Sequence, residues 1–463
     1  MDTDVSTTKS TRVLVVLFTG VLIGALDIAI VGPALPAIQA DFDLDSRALS
    51  WIFNIYILFH LLGAPLLAKL SDRYGRRSVY MANIALFAAG SLVVASATSF
   101  GVLLLGRAIQ AFGAGGIFPV AAAVIGDTFP AERRGRALGL VGAVFGVAFL
   151  LGPLLGGILL RYSWHWLFLI NIPIAAGVLW QAWLVLPDAA PVRKRPFDLR
   201  GAVTLTIMLA ALAFGLSSLD GADLGASLAA ITVWPFLLVA IAAAPIFWLL
   251  ERRAEDPVLD PKLLGSRELK IIAVIAIATG LTEAGMVFLP AMAVAGLQVA
   301  EATASFMLLP LVATLIIGAP AAGRLVDAVG SKRVIQAGLA FSISGLALFG
   351  LTELTLRSFF AAGALTGLGL AVLLGAPLRY VVLREVPAEQ RGAGQGLLTL
   401  FLSVGQLTGA ALVGGVAASH GEGVDGYQRA LLVIAGVMSV VIMFSTALKS
   451  VREASSRPQA DSP

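Results

Sequence analysis

Apolar runs of about twenty residues recur along the whole chain, separated by short segments that gather most of the charge. Nothing else in the sequence restricts the possible folds as strongly. A hydrocarbon core about 30 Å thick offers no water to backbone N–H and C=O groups, so each crossing segment must bond within itself as a helix of roughly 20 residues. Such segments fall at about 13–33, 50–69, 79–98, 101–126, 137–160, 166–186, 201–219, 228–250, 271–294, 303–322, 334–353, 358–383, 393–418 and 428–448. Charged residues make up 13% of the chain, against roughly 25% in a soluble domain, which predicts an all-α, polytopic membrane protein. Residues 1–12 hold Asp2 and Asp4 but no basic cluster, and the apolar run behind them is too long for the core of a signal peptide.

The basic residues set the orientation. With the N-terminus cytoplasmic, the opposite face holds only Arg47, Arg161, Arg357 and Arg429 of the 32 lysines and arginines. Arg107 and Arg379 fall inside spans, and the rest lie in cytoplasmic loops, tails and their borders. The net charge of +4 is therefore topological, and no nucleic-acid partner is implied. Cysteine is absent and histidine occurs three times, so neither a disulfide, a thiolate metal site nor a cofactor is expected. No HExxH, nucleophile elbow or GK[ST] phosphate loop is present, which argues against an enzyme and against ATP as the energy source.

Residues 135–160 carry glycines at helical spacing, among them Gly146, Gly152 and Gly156, leaving a stripe free of side chains where another helix can approach closely. Pro153 should bend this helix. The ending Gly152-Pro153-Leu154-Leu155-Gly156-Gly157 resembles the fifth-helix antiporter motif of drug exporters in the major facilitator superfamily, with Ala148 where that pattern has another glycine. Further segments carry the same resemblance. Leu26-Asp27 followed by Ala34-Leu35-Pro36 is similar to the first-helix signature of the fourteen-helix drug:proton antiporters. Ala68 to Arg77 resembles the superfamily's GxLaDRxGRK loop, through Asp72, Arg73, Gly75, Arg76 and Arg77. Its spacing recurs at Gly323–Arg333 with Asp327, Gly330, Lys332 and Arg333, as expected of a duplicated bundle. Gly106 to Gly113 resembles the fourth-helix motif, and Trp164 to Pro173 the WRWxFxINxP segment, with His165 in place of arginine. We read the aromatics of that segment as an interfacial belt.

The resemblance implies a major facilitator fold: an N-terminal six-helix bundle (13–186), a basic loop (187–200), two linker helices (201–250), a second loop (251–270), a C-terminal bundle (271–448) and a polar tail (449–463). It also implies that Asp72 faces a helix N-terminus of the second bundle and gates the two access states, and that Arg107 takes part in proton coupling. Independently of the family, Asp27 and Arg107 each lie roughly 9 Å from the outer face and should pair. Glu283 lies near the midplane among glycines, where a carboxyl is rare and functional by default. Asn54, Tyr56, Gln110, Met286 and Gln406 are the candidate lining of a cavity between the bundles. His60 reads equally well as a core histidine or a ligand. The expected activity is export of hydrophobic or amphipathic compounds, including lipophilic cations, in exchange for protons by a monomer in the inner membrane of a bacterium. Export of a lipid or endogenous metabolite and proton-coupled uptake are the alternatives.

Overall fold

The computed structural model describes residues 2–129, 144, 147–148, 151–187, 198–219, 224–255, 257, 262–386, 391–420 and 423–449. The helices in chain order are α1 (Asp2–Phe42), α2 (Ser46–Tyr74), α3 (Arg76–Ala95), α4 (Phe100–Thr128), α5 (151–159), α6 (His165–Leu169) and α7 (Asn171–Val185). They continue with α8 (Leu199–Ser217), α9 (Leu224–Ala229), α10 (Trp234–Arg253), α11 (Arg267–Val287), α12 (Leu289–Leu297) and α13 (Glu301–Phe306). The last are α14 (Leu309–Val329), α15 (Ser331–Leu351), α16 (Leu356–Leu373), α17 (Ala376–Glu385), α18 (Arg391–Ser419) and α19 (Val424–Ser445). Among the described residues, 13 helical segments are long and apolar enough to cross a membrane. Much of the first half of the expected fifth span (137–160) lies outside the described residues, and α5 is its continuous described end.

Several helices differ in extent from the sequence reading. α1 runs through Pro33 and Pro36 to Phe42 instead of ending near residue 33. Proline is tolerated inside a membrane helix where packed neighbours and local adjustment satisfy the freed carbonyl. In the second half of the chain proline instead divides three spans. α11 stops at Phe288, two residues before Pro290. The turn at Met307–Leu308 separates α13 from α14 ahead of Pro310, and α16 ends at Leu374 ahead of Pro377. Each break follows from the lost N–H and from the ring's clash with the preceding turn.

Packing sorts the helices into two groups. α1 to α4 pack with one another and with α6 and α7, and α11 to α19 form the second group. α8 and α10 pair together, and α8 lies along the seam where α2 meets α18. Without a hydrophobic drive between helices in lipid, close contact depends on small residues. Gly280 of α11 and Gly405 of α18 show this directly, since a methyl on either would collide with the other helix's backbone carbonyls at Leu402 and Ile277.

The repeated loop is repeated in conformation. Gly75 adopts φ 93° and ψ 142°, and Gly330 adopts φ 86° and ψ 153°. Each glycine N–H bonds back to the preceding helix, at Ser71 and Val326, and each carbonyl accepts the first bond of the next helix, from Val79 and Val334. A side chain is strained at such φ values, so glycine is required at both turns. Gly75→Ala should therefore destabilise the fold by about 1–3 kcal/mol. The check is the thermal unfolding midpoint of purified protein, with Gly101→Ala as a control at a position with open space around it.

Candidate functional site

Two sites emerge, one sealed and one open. The sealed one is built around Asp27, Arg107 and Gln110, each with 0% exposure. Arg107 Nη1 donates to Asp27 Oδ2 at 2.6 Å and to Gln110 Oε1 at 2.7 Å. Gln110 Nε2 in turn donates to Asp27 Oδ1 at 2.7 Å and to Ser91 Oγ at 2.7 Å. This fixes the amide's orientation, because arginine can only donate, so Gln110 must turn its oxygen to Arg107 and its nitrogen to Asp27. Asn171 Nδ2 reaches the same carboxylate oxygen at 3.4 Å and Ser91 Oγ at 3.3 Å. Arg107 Nε donates to the Ile52 carbonyl at 3.4 Å, and its guanidinium lies 4.2 Å from the Tyr56 ring centroid and 5.9 Å from that of Phe168. The cluster thus joins side chains from α1, α2, α3, α4, α6 and α7. Arg107 Nη2, Asn171 Oδ1 and Tyr56 Oη make no hydrogen bond within it.

The open site is a cavity between the two helix groups. Ile28, Ala29, Gly32 and Pro33 of α1, Phe53 of α2 and Pro153 of α5 line it from one side. Glu283 and Met286 of α11, with leucines of α14 and α16, line it from the other. Glu283 is the one ionisable residue among these lining residues, and the Gln406 side chain lies within hydrogen-bonding reach of its carboxyl. The cavity is bordered by the proline breaks, with Met286 and Val287 at the end of α11 and Leu308 at the start of α14. Interrupted helices are where membrane transport folds place their ligands. Chemically, the arrangement offers an apolar molecule dispersion contact on all sides and one carboxyl that can hold a proton or face a cation.

At the end of the molecule bearing the α1–α2 turn, the groups are in contact above the cavity. A methyl at Gly152 would meet Ala29, one at Gly156 would meet Pro33 and Ser305, and one at Gly157 would meet the Phe306 ring. Ser305 Oγ donates to the Pro153 carbonyl at 2.8 Å, and Ser46 Oγ pairs with Tyr427 Oη at 3.1 Å. The glycines thus let α5 lie against α1 and α13 together. Gly146 lies outside the described residues.

The structure brings Asp27 to Arg107, and Met286 and Gln406 to Glu283. It does not bring Asn54, Tyr56 or Gln110 to the cavity. Gln110 is consumed in the sealed cluster, and Tyr56 turns inward to stack on Arg107, with His60 stacked on it at 5.9 Å. The reason is helical phase: Phe53 takes the cavity position on α2, and Asn54 lies 100° away from it. The aromatic belt also needs correction. Trp164 is buried at 4% exposure, donates to Asp41 and packs edge-on against Phe168, so only Trp166 of that segment is strongly exposed. In the repeated loops, Arg76 donates to Asp127 at 3.1 Å and to Ser71, Arg77 lies over Trp183, and Arg73 lies over Tyr74. Lys332 donates to the Thr446 carbonyl at the end of α19, and Arg333 is exposed. The side chains of Asp72 and Asp327 lie outside the described residues. Sequence reasoning missed Ser91, Asn171 and Ser305. Asn171 had a signal, since it stands inside the Ile170-Asn171-Ile172-Pro173 motif.

Comparison with known proteins agrees with this geometry. The family model described as Major Facilitator Superfamily matches residues 17–282 and 271–463. The chain is 37% identical to the Bacillus subtilis uncharacterized MFS-type transporter YfiU, over 86% of this chain and 78% of that protein. It is 30% identical to Multidrug resistance protein 3 of the same organism, over 90% of this chain and 81% of the relative. Identity to the tetracenomycin C resistance and export protein of Streptomyces glaucescens is 28%, over 88% and 76% of the two chains. Among solved structures, the inward-facing, unoccupied bacterial homologue of the lysosomal transporter Spinster superposes with a TM-score of 0.67 at 15% identity, over 95% of this chain and 96% of that one.

The buried pair yields a test. Arg107→Ala strands a desolvated carboxylate and should destabilise the protein by about 3–5 kcal/mol, as for other broken buried pairs. Asp27→Asn combined with Arg107→Gln removes both charges and should cost less than the sum of the two single changes. Unfolding midpoints of the two singles and the double form the cycle, and additive losses would show that the pair is not coupled.

Proposed function

The chain belongs to the major facilitator superfamily of membrane transporters, whose members are not enzymes, and on that premise we propose that it exports hydrophobic and amphipathic compounds in exchange for protons. The single observation that carries this reading is an apolar cavity between two helix groups whose one ionisable lining residue is Glu283. The relatives named for multidrug resistance and for tetracenomycin export support the direction of transport. We also propose fourteen spans, with bundles over 13–186 and 271–448 and linker helices over 201–250. The distribution of basic residues supports cytoplasmic termini and an inner-membrane location in a bacterium. Nothing in the chain calls for more than a monomer.

In this reading the α1–α2 end faces outward, and the contacts of Gly152, Gly156 and Ser305 close that side. Substrate enters from the cytoplasmic side or the inner leaflet and fills the apolar cavity. A cationic group on it meets the Glu283 carboxyl, whose proton leaves. Rocking of the two groups then parts the outer contacts and exposes the site, where an external proton displaces the substrate. Asp27 has a different part. It fixes α1 to α4 and α7 through charge and hydrogen bonds, and α1 supplies Ile28, Ala29 and Pro33 to the cavity. Protonating Asp27 would cancel its attraction for Arg107, loosening α1 and coupling a proton to the shape of the cavity. The repeated loops carry Asp72 and Asp327 at equivalent turns, and we assign them to gating on the opposite side.

An apolar lining also fits a lipid or an apolar metabolite as cargo, and one experiment separates the cases. Purified protein is mixed with lipophilic cations, neutral drugs or lipids, and proton release is recorded. Cations should release protons, and Glu283→Gln should weaken that release about tenfold or more, the effect of losing roughly 1.4 kcal/mol of interaction. Asp27→Asn keeps Glu283 in place, so cations should still release protons from that variant, with an affinity altered only through the position of α1. Binding of lipids without any proton release would replace drug antiport with lipid export.

A further inference from the structure

Asn54 and Asn83 are fully buried amides outside the sites described above, and of the two Asn83 lies inside the first helix group, on α3, while Asn54 lies on α2, which meets the other group. Asn54 has 0% exposure, yet neither its amide oxygen nor its amide nitrogen makes a hydrogen bond. Buried amides are almost always paired, and an unpaired one carries a desolvation cost. Its position explains where that cost acts. Ser46, Ser50 and Asn54 recur every four residues and share one face of α2. The first two lie against the other helix group: Ser46 pairs with Tyr427 of α19, and a methyl on Gly414 of α18 would meet Ser50. About a quarter turn away, Trp51 packs on Phe214 of α8. Helical phase therefore places Asn54 in the seam where α2, α18 and α8 converge, with the cavity-lining Phe53 beside it. No charged side chain is assigned to this spot.

We propose that Asn54 sets the poise of the alternating-access equilibrium by making the closed α2–α18 seam less stable than an apolar residue would. In the closed seam the amide is out of reach of bulk water and bonds to no group among the described residues. When the two helix groups part at this end, water reaches it and the cost disappears. The same residue therefore penalises one state only, which is the condition for shifting an equilibrium between two states. An apolar residue of equal size would deepen the closed state and slow its opening. A carboxylate would raise the cost of closure and favour opening. The inference rests on the alternating-access reading above but assigns nothing to substrate or proton.

The absence of native cysteine makes the test direct. Thr98→Cys and Glu353→Cys place spin labels on two exposed turns of this end, α3–α4 in one group and α15–α16 in the other. Pulsed-EPR distance distributions in lipid nanodiscs then report the ratio of closed to open populations. Asn54→Leu should raise that ratio about tenfold, the order expected from relieving one orphaned buried amide. Asn54→Asp should lower it, and it provides an independent reading should the leucine variant not fold. Ligand affinity in the cavity should change less than the population ratio. Two populations that neither substitution moves by more than about twofold would overturn this inference alone. A single distance in the unsubstituted protein under all proton and ligand conditions would overturn it together with the alternating-access reading.

Discussion

The contact between Arg107 and Asp27 is the constraint on which the first helix group depends. An isolated charge moved into an apolar interior loses hydration worth many kcal/mol, and a bare ion pair there barely recovers it. The structure meets that difficulty by surrounding the carboxylate with donors. Arg107, Gln110 and Asn171 all point at Asp27, and Ser91 accepts from the two amides. The cluster is therefore held by mutual need. The helices that contribute donors converge on the one acceptor.

The seam between the two groups obeys a different rule. Within a group, glycine lets backbones meet, as between α11 and α18, and contact is extensive. Between groups, Gly156 and Gly157 of α5 perform the same service against Ser305 and Phe306 of α13, and the polar links there, among the described residues, include a serine hydroxyl on a carbonyl and a serine–tyrosine pair. Neutral hydrogen bonds of this kind are worth about 0.5–1.5 kcal/mol net. A seam made of close apolar contact and a few weak polar links can close tightly and still part at modest cost. Two rigid groups joined in this way have discrete arrangements instead of a continuum.

Much of this was legible in the sequence because the bilayer imposes strict rules. Span positions, the repeated glycine turns, and the depth match of Asp27 with Arg107 all follow from one-dimensional spacing. What failed was rotation about the helix axis. Asn54, Tyr56 and Gln110 were assigned to a cavity because they are polar and mid-span, yet side chains 100° apart face different environments, and polarity alone does not say which. Phe53 faces the cavity, Tyr56 faces Arg107 and Asn54 faces the seam. The aromatic segment erred for a related reason. Tryptophan suits both an interface and a core provided its N–H finds a partner, and Asp41 supplies that partner from a distant part of the chain. Proline breaks were equally ambiguous, since α1 continues through two prolines while α11, α13 and α16 stop before theirs.

The two acids differ in their surroundings in a way that matters to the proton exchange proposed above. Asp27 is sealed and fully partnered; Glu283 lines the cavity and has one amide neighbour. A carboxyl facing the cavity can exchange its proton with whatever fills that space, so it reports occupancy. A carboxyl locked among three donors exchanges only when the helices around it move, so it reports conformation. α1 connects the two, because the residues directly after Asp27 form the cavity wall opposite Glu283. A molecule that swells or fills the cavity presses on the helix whose position the ion pair fixes. In the proposed reading, occupancy and conformation are linked through α1.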